Sequence, residues 1–138
     1  LAAGDFTPTP AWIWNGFVSY DTDRFNATLG VRHISSGILD VSKIGPEDPG
    51  YDPTLKDSIS TNRVSARTYF SLAMSYKVPL ADNSDQHVEI FGSIENLFDK
   101  DPPVAPGNDG GGGSAYPTNP VYFDVFGMRW RTGVRVNF

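Results

Sequence analysis

Apolar and polar side chains alternate along five segments of the chain, which is typical of β-strands with two unlike faces. In the third segment, Val64, Phe70 and Leu72 occupy one set of alternate positions, and Arg63 and Arg67 occupy the other. No segment shows a convincing helical period. The sequence therefore predicts an all-β fold. Its strands are expected at about 11–20, 25–34, 63–78, 87–96 and 126–138.

The lengths of the segments and of their connections suggest a membrane barrel. The strands are longer than the roughly 5 or 6 residues usual in globular proteins, and they suit a tilted crossing of a bilayer. Short turns alternate with long connections, expected at about 35–62 and 97–125. Short periplasmic turns and long outer loops are typical of antiparallel outer-membrane barrels, whereas two such loops are unusual in a compact soluble domain. The pattern predicts a transmembrane antiparallel β-barrel, of which this chain is a fragment.

The distribution of charge over the two faces agrees with this interpretation. In the four charged strands, every Lys, Arg and Glu falls on the polar set of positions. A lipid-facing surface requires this, because an Arg there costs roughly 2 to 4 kcal/mol at mid-bilayer. We therefore expect a polar set that faces the lumen: Arg32, Arg63, Arg67, Tyr69, Lys77, Glu89, Glu95, Arg129, Arg131 and Arg135.

A soluble β-sandwich is the alternative fold, because its strands alternate too. The polar faces here are rich in Ser, Gly, Thr and Ala, which suit a crowded or water-filled lumen. The barrel is the favoured interpretation, and the sandwich is the alternative to be tested.

Composition excludes several classes of function. The chain has 138 residues, no cysteine and a formal charge of −5, which gives no support for thiolate metal sites or nucleic-acid binding. The apolar runs are too short for a membrane-spanning helix. The first residues show neither an initiator Met nor a signal pattern, so we expect a piece of a longer protein.

Two stretches near the end resemble the carboxyl-terminal part of TonB-dependent outer-membrane receptors. They are "SIENLFDKDPPVAPG" (93–107) and "TNPVYFDVFGMRWRTGVRVNF" (118–138). In that family an Asn-Leu-Phe-Asp-Lys segment leaves the penultimate strand, and an Asp-x-x-Gly-Arg segment opens the last one, which ends in an aromatic residue. The matching positions are Asn96, Leu97, Phe98, Asp99, Lys100, Pro102, Asp124, Gly127, Gly133 and Phe138. Met128 departs from the family pattern, which usually has Arg there.

The resemblance implies a function in energised import across the outer membrane of a Gram-negative cell. Such receptors have a barrel of about 22 strands, plugged by an amino-terminal domain that TonB contacts. This chain would supply the last five strands, with its carboxyl terminus in the periplasm. The other strands and the plug would lie elsewhere in the same polypeptide or in another chain. A ferric siderophore, a saccharide or cobalamin is the expected substrate, and no cofactor or catalysis is expected.

The same resemblance gives the final strand a second role. Receptors of this kind end in an aromatic residue preceded by apolar groups at alternate positions, which the barrel-assembly machinery recognises. The matching residues are Trp130, Val134, Val136 and Phe138.

Two sets of residues are candidates for contact with a ligand. The basic lumen residues would attract an anionic substrate, although salt bridges to neighbouring strands and to the plug are the favoured explanation. The tyrosines of the outer loops, Tyr51, Tyr116 and Tyr122, would touch a ligand or only pack within their loops.

Other functions have less support. A passive porin or a barrel enzyme is possible, but no Ser/His/acid arrangement occurs. The run "GNDGGGGS" lacks the Gly-Lys-Ser/Thr ending of a phosphate loop. His33 and His87 have no partner at metal-ligand spacing. Glu89 and Glu95 lie about 20 Å apart along a strand, too far apart for a paired acid and base.

Overall fold

The computed structural model describes residues 10–80, 86–105 and 117–138. Every regular element in this part of the chain is a β-strand. The strands are β1 (Ile13–Asp21), β2 (Phe25–Ile34), β3 (Gly37–Ile38), β4 (Arg63–Val64), β5 (Arg67–Pro79), β6 (His87–Glu95) and β7 (Arg129–Asn137). Five form one sheet in the order β1-β2-β5-β6-β7, and β3 pairs with β4 in an antiparallel ribbon. The predicted all-β, antiparallel fold is confirmed.

The described residues contain no helix of the length and hydropathy needed to span a membrane.

The strand predicted at 63–78 is divided in the structure. Ser65 and Ala66 belong to no strand, so β4 ends and β5 begins around them. The reason is a change of partner. β4 pairs with β3, where Val64 lies opposite Gly37, whereas β5 pairs with β6 in the five-stranded sheet. Alternation records which side a residue faces but not which strand it pairs with, so the sequence did not show this division.

The other strand bounds differ by a few residues. The first strand begins at Ile13 instead of 11, and the last begins at Arg129 instead of 126. The segment 35–62, expected to be a loop, contains β3. Strand ends depend on the partner strand, whose position a local pattern does not give.

Cross-strand pairing separates the sheet into an apolar face and a polar face. Alternate residues of a strand point to opposite sides, so residues paired across strands share a face. The apolar rows are Leu72–Ile94–Trp130, Tyr76–Ile90–Val134 and Val78–Val88–Val136. The polar rows are Ser71–Glu95–Arg129, Ala73–Ser93–Arg131 and Lys77–Glu89–Arg135.

Side-chain contacts show which residues of β1 and β2 lie on each of the two faces. On the polar side, the Ser19 and Thr28 hydroxyls are 2.9 Å apart, and a Cβ at Gly30 would lie 2.5 Å from Ser71 Oγ. On the apolar side, the ring of Trp14 stacks on His33 with centroids 5.8 Å apart. The two faces therefore continue across all five strands, but β1 separates them less completely, because Ile13 and Phe17 share the polar side with Ser19.

The chain divides into two compact units. The sheet unit comprises Trp14–His33, Thr68–Asp101 and Phe126–Phe138, and the connecting unit comprises Leu1–Ile13, Ile34–Arg67 and Pro102–Val125. Among the described residues, the buried hydrophobic side chains lie mainly in the connecting unit, which holds Ile34, Val64, Ala105 and Phe123. The sheet unit, by contrast, leaves large apolar side chains exposed, among them Val18 at 72%, Trp130 at 69% and Val134 at 64%.

The connecting unit is organised by Asn62, which is only 2% exposed. Its Oδ1 accepts the Asp40 N–H at 3.0 Å, and its Nδ2 donates to the carbonyls of Asp40 at 3.1 Å and Lys43 at 2.8 Å. A Cβ at Gly45 would lie 2.8 Å from Asn62 Cβ, so this position has no space for a side chain. One buried amide thus satisfies three backbone groups within the first long connection.

Replacing Asn62 by Ala is expected to loosen this connection. The change leaves those backbone groups without a partner, and an unsatisfied buried group costs about 1 to 3 kcal/mol. Amide hydrogen exchange at Asp40 should accelerate, because that N–H donates to Asn62. The exposed Asn15→Ala serves as the control. Unchanged protection of the Asp40 amide in Asn62→Ala would contradict the organising role.

Candidate functional site on the polar face of the sheet

Basic and acidic side chains of β6 and β7 form a ladder of ion pairs on the polar face. Glu95 is shared, since Oε2 lies 2.8 Å from Arg129 Nη2 and Oε1 lies 2.7 Å from Arg131 Nη2. Arg135 Nη1 lies 3.0 Å from Glu89 Oε2. Antiparallel pairing places each Glu of β6 beside an Arg of β7, because both occur at alternate positions. Two carboxylates therefore hold three arginines on one surface.

The ladder differs in strength along its length. The side chains of Arg131 and Arg135 are 77% and 70% exposed, whereas Glu89 is only 15% exposed. Exposed ion pairs contribute about 0 to 1 kcal/mol, because water screens them. The Glu89 pair is partly withdrawn from water, so water and salt screen its attraction less than that of the Glu95 pairs. Lys77 lies opposite Glu89 in the register, so positive charge surrounds this carboxylate on two strands.

An aromatic ring completes the polar face. Phe91 covers Gly133, where an added Cβ would lie 2.5 Å from the ring. The Arg135 guanidinium lies 5.7 Å from the centroid of the same ring, within the range of a cation–π contact. Phe91 was not among the residues expected to line the lumen. Its position could have indicated a special role, because Phe91 is an aromatic residue at one of the polar alternate positions of its strand, where a small or charged residue is usual.

The remaining lumen candidates do not join this ladder. Arg63 lies in the ribbon, in the connecting unit, with Nη2 3.4 Å from Asp48 Oδ1 and Nε 3.9 Å from Glu47 Oε2. It was expected on the same strand as Arg67, and the change of strand partner explains the difference. Arg67 begins β5, and its Nη1 donates to the carbonyl of Ala66 at 2.9 Å.

Arg32 and Tyr69 lie on β2 and β5. Within the described residues, Arg32 forms no ion pair. Tyr69 is buried, with 8% of its surface exposed. Over the described residues, the predicted group of basic residues is therefore distributed between the sheet and the ribbon, and those of β7 form the ion-pair ladder with β6.

The tyrosines of the connections are held by backbone turns. The Tyr51 N–H donates to the Asp48 carbonyl at 3.3 Å, and the Tyr122 N–H donates to the Asn119 carbonyl at 3.2 Å. Both residues are half-buried. Tyr116 lies outside the described residues, as does the glycine-rich run at 108–114. Contact of these side chains with a ligand stays a prediction.

The residues matched to the assembly signal lie on the opposite face. Trp130, Val134 and Val136 pair with Ile94, Ile90 and Val88 in the apolar rows. Phe138 follows β7 and is 92% exposed. This row is free of charge and accessible along its length.

Histidines and acidic residues are not gathered into a metal site in the part of the chain that the structure describes. His33 Nδ1 lies 2.8 Å from the Thr68 hydroxyl, which gives this histidine a partner within the sheet.

Two aspartates of the connecting unit, the half-buried Asp40 and the exposed Asp52, have lowered pKa values. Hydrogen bonds from the Ser42 hydroxyl at 2.6 Å and the Ser42 N–H at 2.8 Å hold the pKa of Asp40 below its usual 3.8. The Thr54 hydroxyl at 2.7 Å and N–H at 2.9 Å lower the pKa of Asp52 in the same way. Each carboxylate closes a small turn, and the hydrogen bonds that it accepts there stabilise its charged form.

These shifts predict how the two turns respond to acid. A lowered folded-state pKa stabilises above the unfolded-state value of about 3.8, and this contribution is lost as pH falls through the folded-state pKa. Carboxyl NMR titration should give midpoints below 3.8 for both residues. Ser42→Ala should raise the pKa of Asp40 alone, and Thr54→Ala that of Asp52 alone. An unshifted Asp40 midpoint in Ser42→Ala would show that the hydroxyl bond is not the cause.

Double-mutant cycles should resolve the two ends of the ladder. Using Gln substitutions and urea unfolding, we expect a coupling of about 1 kcal/mol for Glu89 with Arg135 and a smaller value for Glu95 with Arg131. Arg129 still holds Glu95 when Arg131 is removed, which lowers the second value. Added salt should weaken the Glu95 coupling more, because that pair is more exposed. Equal couplings would contradict the difference in burial as the controlling factor.

Comparisons of the chain with protein families, curated proteins and solved structures found no match.

Proposed function

We propose that this chain forms part of the β-barrel of a TonB-dependent outer-membrane transporter, with strands from the carboxyl-terminal end of that barrel. The observation that carries the proposal is the uncovered apolar face of the five-stranded sheet. The exposed side chains of this face include Val18, Leu29, Met74, Ile90 and Val134. No Asp, Glu, Lys or Arg occurs among the strand residues of this face. Such a surface fits hydrocarbon better than water.

Strand length supports the same environment. The strands of the sheet have 9 to 13 residues. Transmembrane strands need about 9 to 11 residues at a tilt of about 45°. The turn between β1 and β2 is short, whereas the connection from β6 to β7 spans residues 96–128. This alternation fits the short and long loops of outer-membrane barrels.

The motif residues support the particular family. The Asn-Leu-Phe-Asp-Lys segment follows β6 directly, and Gly127 stands two residues before β7. These are the places at which the family segments leave the penultimate strand and open the last one. In such a transporter the polar face would line the lumen, and the open edges of β1 and β7 would pair with further strands, because lipid cannot satisfy free backbone groups.

The chain would take part in energised import of a ferric siderophore, a saccharide or cobalamin, with the plug and TonB contact elsewhere. The ion pairs of Glu89 and Glu95 favour a structural role for Arg129, Arg131 and Arg135 over a role in attracting an anionic substrate. Contact with the substrate would then depend more on the connections that carry Tyr51 and Tyr122.

Two other functions lead to different observations. A passive porin or barrel enzyme would share the lipid face but would have no plug. A soluble β-sandwich binding module would cover the apolar face with a second sheet, and in the described residues that face is exposed.

Gel migration and mass analysis of detergent-extracted outer membranes test the proposal. The chain should migrate with a plug-bearing polypeptide in unboiled samples and shift its mobility on boiling. Recovery in the soluble fraction without detergent would overturn the membrane assignment. A heat-modifiable barrel without a plug domain would favour the porin or enzyme.

Adjacent residues of β5 provide a matched control. Met74 and Ser75 lie on opposite faces, since their β6 partners are Gly92 and Phe91. Met74→Lys should reduce the amount of heat-modifiable barrel, because a lipid-facing Lys costs roughly 2 to 4 kcal/mol near the bilayer midplane. Ser75→Lys should have little effect. If Ser75→Lys reduces the amount of barrel and Met74→Lys does not, the lipid lies against the polar face and the proposed orientation is wrong.

A further inference from the structure

A long connection leaves the position of the last strand undetermined. Residues 96–128 separate β6 from β7. A slip of one residue would move the arginines of β7 to the apolar face. A slip of two residues would restore the faces, because alternation has period two, so the faces alone do not select one register. The exposed ion pairs of Glu95 contribute too little to select it by themselves.

The turn after β6 is held in a defined shape. Asn96 and Asp99 have positive φ angles of 52° and 47°, a conformation that Asn and Asp tolerate better than other side chains. The Asn96 side chain makes two hydrogen bonds to the backbone of Lys100. Its Oδ1 accepts the Lys100 N–H at 2.8 Å, and its Nδ2 donates to the Lys100 carbonyl at 3.1 Å. The Asp99 N–H donates to the Asn96 carbonyl at 2.9 Å. These bonds hold the backbone at Asp99 and at the residue that follows it.

The Asp99 carboxylate binds the backbone just before β7. Asp99 Oδ1 accepts the Met128 N–H at 2.8 Å. Gly127 has a φ of 72°, and a Cβ there would lie 2.7 Å from the same oxygen. Both the backbone conformation and the close approach therefore require glycine. The bond is made to a residue's backbone, so it does not depend on the identity of the Met128 side chain.

We propose that Asp99 and Gly127 form a register clasp for β7, in which one carboxylate holds the Met128 N–H and so selects which residues of β7 face β6. With Met128 held, the ladder begins with Glu95 opposite Arg129 and continues to Glu89 opposite Arg135. The clasp thereby places each acidic residue beside its arginines. This inference is independent of the proposed function, because it holds whether lipid or protein covers the apolar face.

Disulfide trapping measures the register directly, since the chain has no cysteine. Paired residues on antiparallel strands have Cα atoms about 4.5 to 5.5 Å apart, within disulfide range, whereas partners two positions away are about 7 to 8 Å apart. Ile90→Cys with Val134→Cys reports the observed register. Ile90→Cys with Thr132→Cys, or with Val136→Cys, reports slips of two residues. Each pair is oxidised with diamide in the intact protein and separated on non-reducing gels.

With the clasp intact, only the Ile90/Val134 pair should oxidise efficiently. Asp99→Ala and Gly127→Ala should each reduce this disulfide and increase the slipped ones. Asp99→Asn keeps an oxygen acceptor and should retain the observed register. Gly37→Ala and Asp23→Ala are the matched controls, since an added Cβ at Gly37 meets no atom within 4 Å and Asp23 lies exposed in the β1–β2 turn.

Retention of the Ile90/Val134 disulfide alone in both Asp99→Ala and Gly127→Ala would overturn the inference. If Asp99→Ala does not accumulate, Asp99→Asn decides the question. If Asp99→Asn accumulates and keeps the observed register, the hydrogen-bond clasp is supported. If Asp99→Asn fails to accumulate while Asp23→Ala accumulates normally, the clasp is refuted. The membrane extraction described above is a separate readout, so failure of the clasp does not count against the proposed transport function.

Discussion

The separation of the sheet into two chemically unlike faces is the constraint on which the rest of the molecule depends. Backbone pairing alone would permit many registers, but only registers of the right parity keep the arginines of β7 on the face that carries Glu89 and Glu95, and keep Val134 on the face that carries Ile90. The apolar rows then form a continuous surface, and the polar rows form the ion-pair ladder. Both the membrane proposal and the structural interpretation of the arginines depend on this single arrangement.

Local pattern predicts this arrangement well, because a period of two is a property of consecutive residues. The faces of Met74 and Ser75, or of Trp130 and Arg131, were therefore accessible from the sequence. The pairing of β3 with β4 was not, because it depends on the distant contact between Gly37 and Val64. The same non-local contact places Arg63 with Glu47 and Asp48 instead of in the sheet.

The candidate site was predicted only in part for a related reason. The residues of the ladder were recognised by type and position, but their partners required a register. Asn62 gave no signal, since a single Asn in a long connection is most often solvated. Asp99 and Gly127 were noted as motif residues, yet the positive φ angles and the bond to the Met128 N–H belong to the folded backbone. Sequence resemblance identified the positions, and only geometry gave them a physical role.

The ring of Phe91 over Gly133 couples two positions that lie on different strands. Any side chain at 133 must displace the ring, whereas a small residue at 91 would uncover the glycine and leave the backbone of β7 to solvent. The effects of substitutions at these positions are therefore not additive, because each residue sets the space available to the other. During sequence divergence, the two positions should change together. A sequence with a larger residue at position 133 should have a smaller one at position 91, so that the total side-chain volume of the pair is conserved.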